Sequence, residues 1–547
     1  MIRREFMVRT LAAAVATLAG RGACAQQASH GMQGMHDMAG MEGMEGMAGM
    51  PGMTPKTSAA AHAPAPLAAV DALPAGRPLA SLRILANESR EPGVFRATLV
   101  AHPVQRNVLA GSGKPTTFWQ YDPTTDATSQ GPIVGPLIDV REGDTVEIHF
   151  INRLAQPSTI HWHGLPVPPD QDGNPSDPVA PGATHVYRFT LPPGSAGTYW
   201  YHPHPHMMSA EQVFRGLAGP IVVRAANDPL AGWPERHLFF SDLKLSADGT
   251  IPPNDMMDWM NGREGQFVLV NGARRPRIVV ANDERWRVWN GCNARYLRLS
   301  LGVPFAQVGT DGGLLERSRD GLTDLLLAPG ERAELIVRAG TKPQQVVLTA
   351  DVYDRRKMAM SHGSLPADPA HALADIEFAP SAGADAAAAT PRALPAILRT
   401  IEPLGTSVAK KSVVFSEKMD MAAMHKPGAS VHGMPAGMSF MINGATFDPS
   451  RVTLTSRRDD VEIWSIENRT DMDHPFHLHG TQFQVVERVR GGVATSEPYR
   501  AWRDTVNVEP DEIVRIATVQ RMAGERMFHC HILEHEDLGM MATLKVI

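Results

Sequence analysis

Three stretches of the chain share one pattern of apolar and polar positions. In "EGDTVEIHFIN" the apolar residues Val146, Ile148 and Phe150 alternate with polar ones, and the run ends at Asn152. Period-two alternation predicts a strand with one buried face. His161, His163 and Gly164 then stand nine, eleven and twelve residues beyond Asn152. In "VEIWSIENRTDMDHPFHLHG" the same offsets from Asn468 reach His477, His479 and Gly480. In "WRVWNGCNARYLRLSLG" the same offsets from Asn290 reach Leu299, Leu301 and Gly302. Three domains of one design are implied, and the middle one carries leucines where the outer two carry histidines.

A second repeat supports the first. "GTYWYHPHPH" places His202 and His204 five and seven residues after Gly197, and "GERMFHCHIL" places His529 and His531 at the same offsets from Gly524. Pro203 stands where Cys530 stands in the later copy. Short alternating strands with Gly/Pro punctuation and no helical period predict an all-β protein of three consecutive Greek-key β-sandwich domains. They are expected at 78–227, 228–380 and 400–547, with an Ala/Pro-rich linker at 381–399. Residues 26–77 lack a core pattern and are expected to be disordered.

Length and charge add limits. A chain of 547 residues exceeds one ordinary domain, and 52 basic against 58 acidic residues gives no cationic excess to suggest nucleic acid. Residues 1–25 read as a twin-arginine type signal: Arg3-Arg4, Phe6, a short apolar run, and cleavage after Ala25. The twin-arginine export machinery is therefore an expected partner, and the periplasm the expected location. Cys24 as a lipid-anchor site is the alternative, although Arg21 stands where a lipobox wants Leu. The apolar run is too short for a membrane span. Cleavage would leave Cys292 and Cys530; if Cys530 ligates metal, no disulfide can form. The chain is expected to act as a monomer.

The histidines carry the chemistry. With 22 His in 547 residues about one His-X-His should arise by chance, yet the chain has five. Four sit at repeat-equivalent positions, whereas His206 extends one pair by accident. On a strand, residues i and i+2 share a face, so each pair can grip metal from one side. Eight histidines arriving from two domains can hold a cluster of three coppers between the first and third domains. Cys530, His535 and Met540 supply a thiolate, an imidazole and a thioether, to which His474 adds the missing imidazole. His₂Cys with a weak axial Met is a blue-copper set. Because Cys530 lies between His529 and His531, electrons could pass between the two sites through a few covalent bonds.

"HWHG", "YHPH", "HPFHLHG" and "HCHILEHEDLGM" together resemble the four copper signatures of multicopper oxidases, and the resemblance runs from about residue 78 to the end. It is nearest to the three-domain, laccase-like bacterial cuprous oxidases of copper-tolerance type. The resemblance implies cupredoxin-like domains and four copper ions. Type 1 would be held by His474, Cys530, His535 and axial Met540, and type 2 by His161 and His477. The type 3 pair would be held by His163, His202, His204, His479, His529 and His531. It also implies O₂ as oxidant, reduced to water. Asp172 resembles the carboxylate that relays protons to the cluster, and Glu536 is a second candidate; either could instead be a solvated loop acid.

Methionines point to the electron donor. Residues 30–53 place Met at every third position from Met32 to Met53 among Gly and Pro, which suits a soft Cu(I) scavenger or else an inert tail. A second group, Met419, Met421 and Met424, lies in an insertion (418–441) expected to precede the last domain's first strand. Met472 stands two residues before His474 and would share its side on an extended segment. Nearby Asp471, Asp473, Glu536 and Asp537 add hard charge. Soft sulfur beside carboxylates suits a metal-ion donor, so the expected reaction is oxidation of Cu(I) to less toxic Cu(II), with phenols as secondary donors. The rivals are a laccase with a phenolic physiological donor, and a non-enzymatic periplasmic copper-sequestering protein. A buffer has no use for His-Cys-His, and a copper nitrite reductase has no need of eight cluster histidines.

Overall fold

The computed structural model describes residues 66–109, 114–124, 131–360, 363–379, 392–424 and 433–547. Both the export signal and the Met-rich stretch 30–53 lie outside these. Among the described residues, five sheets make up the fold. A four-stranded sheet (Thr116–Asp122, Val94–Arg106, Thr145–Asn152, Thr184–Thr190) and a three-stranded sheet (Ile138–Arg141, Gly219–Arg224, Gly197–Tyr201) form the first region. A ten-stranded sheet spans the middle, and a six-stranded and a five-stranded sheet form the last region. Helices are few and short. None among the described residues is long and apolar enough to cross a membrane.

The alternation read from sequence has its physical outcome in the strand Thr145–Asn152, where Val146, Ile148 and Phe150 are buried in the first core. This strand pairs in parallel with the first strand of its region, Val94–Arg106. The same parallel pairing recurs between Glu235–Leu243 and Glu284–Asn290, and between Ala409–Met419 and Val461–Asn468. A parallel pair cannot be joined by a tight hairpin, so intervening strands must cross to the other layer, and this gives the Greek-key connection.

Each of these strands ends in the repeat asparagine, and each asparagine ties the same knot. Asn152 Oδ1 accepts Leu154 N–H (2.9 Å), and its amide donates to Gln156 O and Val179 O, both at 2.9 Å. Asn290 accepts Cys292 N–H (3.2 Å) and donates to Arg295 O (2.9 Å) and Leu327 O (3.0 Å). Asn468 accepts Thr470 N–H (3.0 Å) and donates to Met472 O (2.8 Å) and Val508 O (2.9 Å). All three are buried. A buried turn has backbone groups that water cannot reach, and one amide satisfies three of them. The knot thereby aims the chain that follows.

Two expectations change. Residues 66–77 pack on the middle region instead of lacking structure: Ala68 N–H donates to Leu245 O at 2.9 Å, and Ala68 and Leu73 join a buried cluster with Leu243 and Leu245. The methionine insertion follows the strand Ala409–Met419 and joins it to Met438–Ile442, so it does not precede the region's first strand. The reason lies in Ala409–Met419 itself, whose Val413 and Phe415 alternate into the core.

Candidate metal centres

The knots deliver the histidine pairs to one place. His161 and His202 exchange backbone hydrogen bonds (2.8 and 3.2 Å), and His477 lies opposite His529 in an antiparallel ladder. All eight paired histidines are buried. His161 Nε2 lies 3.3 Å from His477 Nε2, His204 Nε2 3.2 Å from His529 Nε2, and His479 Nε2 3.0 Å from His529 Nε2. Two imidazole nitrogens about 2.0 Å from a shared tetrahedral ion would stand about 3.3 Å apart. His163 Nδ1, His202 Nε2 and both nitrogens of His531 are buried with no hydrogen-bond partner. Orphaned acceptors of this kind are costly unless a cation takes them up, so the donor set fits copper.

Other ring nitrogens are held from behind. Asp172 accepts from His161 Nδ1 (3.0 Å) and His479 Nδ1 (3.2 Å), bridging the two domains. His477 Nδ1 donates to Asp504 O (2.8 Å), His529 Nδ1 to Cys530 O (2.9 Å) and His202 Nδ1 to Pro203 O (3.0 Å). Such bonds set each tautomer and leave the opposite nitrogen free to ligate. Burial, reinforced by neighbouring imidazoles, pushes His163, His202, His204, His477, His479 and His531 well below the ordinary histidine range. They are neutral, as ligands must be.

A second group lies in the last region. His474 Nδ1 is 3.3 Å from Cys530 Sγ and 3.3 Å from His535 Nδ1. Met540 is buried, and its carbonyl accepts Cys530 N–H at 3.0 Å. Burial raises the Cys530 thiol well above its usual range, so a cation binding there must displace the thiol proton. Among the described residues, no grouping of His, Cys, Asp or Glu with ligand geometry draws on residues 228–380.

The short helix Leu533–Asp537 links everything. Glu534 accepts from Asn293 Nδ2 of the middle region (2.8 Å), and His535 donates through Nε2 to Met260 O (3.1 Å). Glu536 lies 3.5 Å from His204 Nε2 and 3.3 Å from His529 Nδ1. Asp537 accepts from the N–H groups of Ser209 (3.2 Å) and Ala210 (3.0 Å), which open the helix Ser209–Phe214 of the first region. Burial, and then Asp537, hold the Glu536 carboxyl well above its normal range. Asp172 and Glu536 both touch the cluster and neither is a solvated loop acid. Glu534 and Asp504 carry no signal in a single sequence, because Asn293 and His163 are hundreds of residues away from them; Asp537, expected beside the donor site, instead holds the first region's helix.

A cavity of about 280 Å³ is lined by Met260, whose carbonyl takes the His535 bond, and by Met358, Met360, Met419, Met424, Asp471 and Arg356. Met419 and Met424 are thus brought there as expected, whereas Met260, Met358 and Met360 come from the middle region and were not foreseen. The Met421 side chain lies outside the described residues. Met472 does not line the cavity: the chain bends before His474, the Asn468 knot takes the Met472 carbonyl, and its side chain is buried.

Sequence models of multicopper oxidase domains match residues 115–228 and 417–547. A multicopper oxidase of Staphylococcus haemolyticus is 30% identical over 449 residues, covering 80% of this chain and 87% of its own. Among solved structures, a Campylobacter jejuni multicopper oxidase described as a metallo-oxidase superposes with a TM-score of 0.79 at 40% identity. It covers 88% of this chain and 98% of its own. A laccase from Pediococcus acidilactici gives 0.70 at 30% identity, covering 87% and 95%. The chain belongs to the multicopper oxidase family, the copper enzymes that couple oxidation of a substrate to reduction of O₂.

Proposed function

We propose that this enzyme oxidises Cu(I) to Cu(II) at the expense of O₂ in copper detoxification, with phenols as secondary donors, and that it acts as an exported, periplasmic protein. It binds four coppers. His474, Cys530, His535 and Met540 hold type 1, and His161 and His477 hold type 2. The type 3 pair takes His204, His479 and His529 on one side and His163, His202 and His531 on the other. Copper, when bound, supplies a one-electron acceptor at the cysteine site and the capacity to reduce O₂ to water at the cluster. The chain supplies the rest. Cys530, flanked by His529 and His531, joins the two sites by a short covalent path. Asp172 and Glu536, both against the cluster, are placed to pass the protons that water formation consumes.

The methionine cavity carries the substrate reading. Thioethers are soft and prefer Cu(I), and this pocket gathers five of them with the carboxylate of Asp471 and the guanidinium of Arg356. It is linked to His535 through lining residue Met260, whose carbonyl accepts the His535 Nε2–H. The solved relative described as a metallo-oxidase agrees. Replacing Met358, Met360, Met419 and Met424 with Leu keeps size and removes sulfur. Oxygen uptake with Cu(I) should then show KM raised about tenfold or more, reporting lost binding, while phenol turnover holds steady. Equal loss on both donors would refute the assignment of the cavity to Cu(I).

A further inference from the structure

Among the described residues, the middle domain contributes no His, Cys, Asp or Glu to the grouped ligands, yet it sends one side chain to the residue behind them. Arg332, from the strand Arg332–Val337, is completely buried. Its guanidinium grips Asp504 with two bonds, Nη1 to Oδ1 at 2.6 Å and Nη2 to Oδ2 at 2.5 Å. Nε donates to Thr198 O (2.9 Å) in the strand that runs into His202 and His204. Burial alone would lower the guanidinium pKa, but Asp504 and Asp311 more than offset this, and the group stays charged.

Asp504 in turn faces both halves of the cluster. Its Oδ1 accepts from His163 Nε2 at 2.9 Å, and its backbone carbonyl accepts from His477 Nδ1 at 2.8 Å. His163 Nε2 is engaged away from the other histidines, by Asp504 and by Thr505 Oγ1 at 3.2 Å, and its Nδ1 is the nitrogen without a partner. The chain also leaves room for the pair. Gly164, next to His163, has φ +87°, and a Cβ there would overlap both the Asp504 carboxylate and the Arg332 guanidinium. A buried ion pair is a poor way to gain stability, since well-packed apolar residues often serve as well. Bidentate geometry, by contrast, fixes orientation.

We propose that Arg332 and Asp504 are positioning residues that fix the His163 tautomer, so that Nδ1 faces the cluster, and that set the spacing between His163 and His477. The inference rests on the ligand assignment above and is independent of the electron donor. Such outer contacts are worth about 10–100-fold in metal affinity.

The test uses full-length, copper-loaded Arg332→Lys, which keeps the charge and loses the fork, and Asp504→Asn, which keeps an acceptor and loses the charge. Both are titrated with a copper chelator while copper per chain, the blue absorption and the type 2 paramagnetic resonance signal are followed. Cluster copper should leave at about 10–100-fold lower chelator than in wild type, with an altered type 2 signal and an unchanged blue band. Wild-type retention with an unaltered signal would overturn the proposal. Joint loss of cluster and blue copper, or failure of both variants to fold, would also overturn it, because the pair would then be a structural tie only. An error in the ligand assignment would show separately, as full cluster occupancy in His163→Ala.

Discussion

The middle and last domains start from the same local design and end in different chemistry. Asn290 and Asn468 tie the same knot, with matching bonds to the residue two places on and to two carbonyls. Nine and eleven residues later the middle domain carries Leu299 and Leu301, buried in its own core, where the last domain carries His477 and His479. The asparagine therefore serves the fold, and it can be kept whether histidines or leucines follow it. The middle domain lends Arg332 to Asp504, Asn293 to the linking helix, and Met260, Met358 and Met360 to the cavity.

The largest effect should come from the metal side of this division. Cys530→Ser removes the only soft anionic ligand, so the blue absorption and all oxidase turnover should vanish. The eight-histidine cluster should still retain copper, counted by elemental analysis. Survival of the blue band would place the site elsewhere.

The fold side should respond differently. Asn290→Ala and Asn468→Ala each strip three buried backbone groups of their partner and should each cost about 3 kcal/mol in denaturant unfolding of the apoprotein. Similar losses in the two domains would show the knot to be structural in both. Only Asn468→Ala should also disturb the blue spectrum, since the knot lies six residues before His474.

The smallest effect sharpens the comparison from the other direction. Leu301→His puts an imidazole back at the repeat position, but no facing domain offers it partners. It should cost about 2 kcal/mol and bind no additional copper. A gain of copper would mean that the middle domain is a latent site.

Much of this was legible in the sequence because the chain repeats itself. The spacing from Asn152, Asn290 and Asn468 exposed three domains and the histidine pairs; the strands, however, end at Tyr201, Leu478 and Cys530, so the pairs sit at or beyond strand ends rather than along one strand face. The asparagines were visible as markers, yet their role was not, because the carbonyls they bind lie on other segments. Asp504 and Arg332 were invisible for the same reason: a bidentate pair separated by 172 residues leaves no local pattern. Met472 was misplaced on the assumption of an extended approach to His474, which the Asn468 knot bends. Met260, Met358 and Met360 read as scattered methionines until the fold brought them to one cavity.

The central claim is that the resident coppers are held by the outer domains alone, in one mononuclear and one trinuclear site. Anomalous diffraction at the copper edge from copper-loaded crystals tests it most directly. The account predicts one peak enclosed by His474, Cys530 and His535, three peaks among the eight paired histidines, and none near Leu299 or Leu301. A cluster with fewer than three peaks at full loading, or copper bound within residues 228–380 away from the methionine cavity, would contradict it.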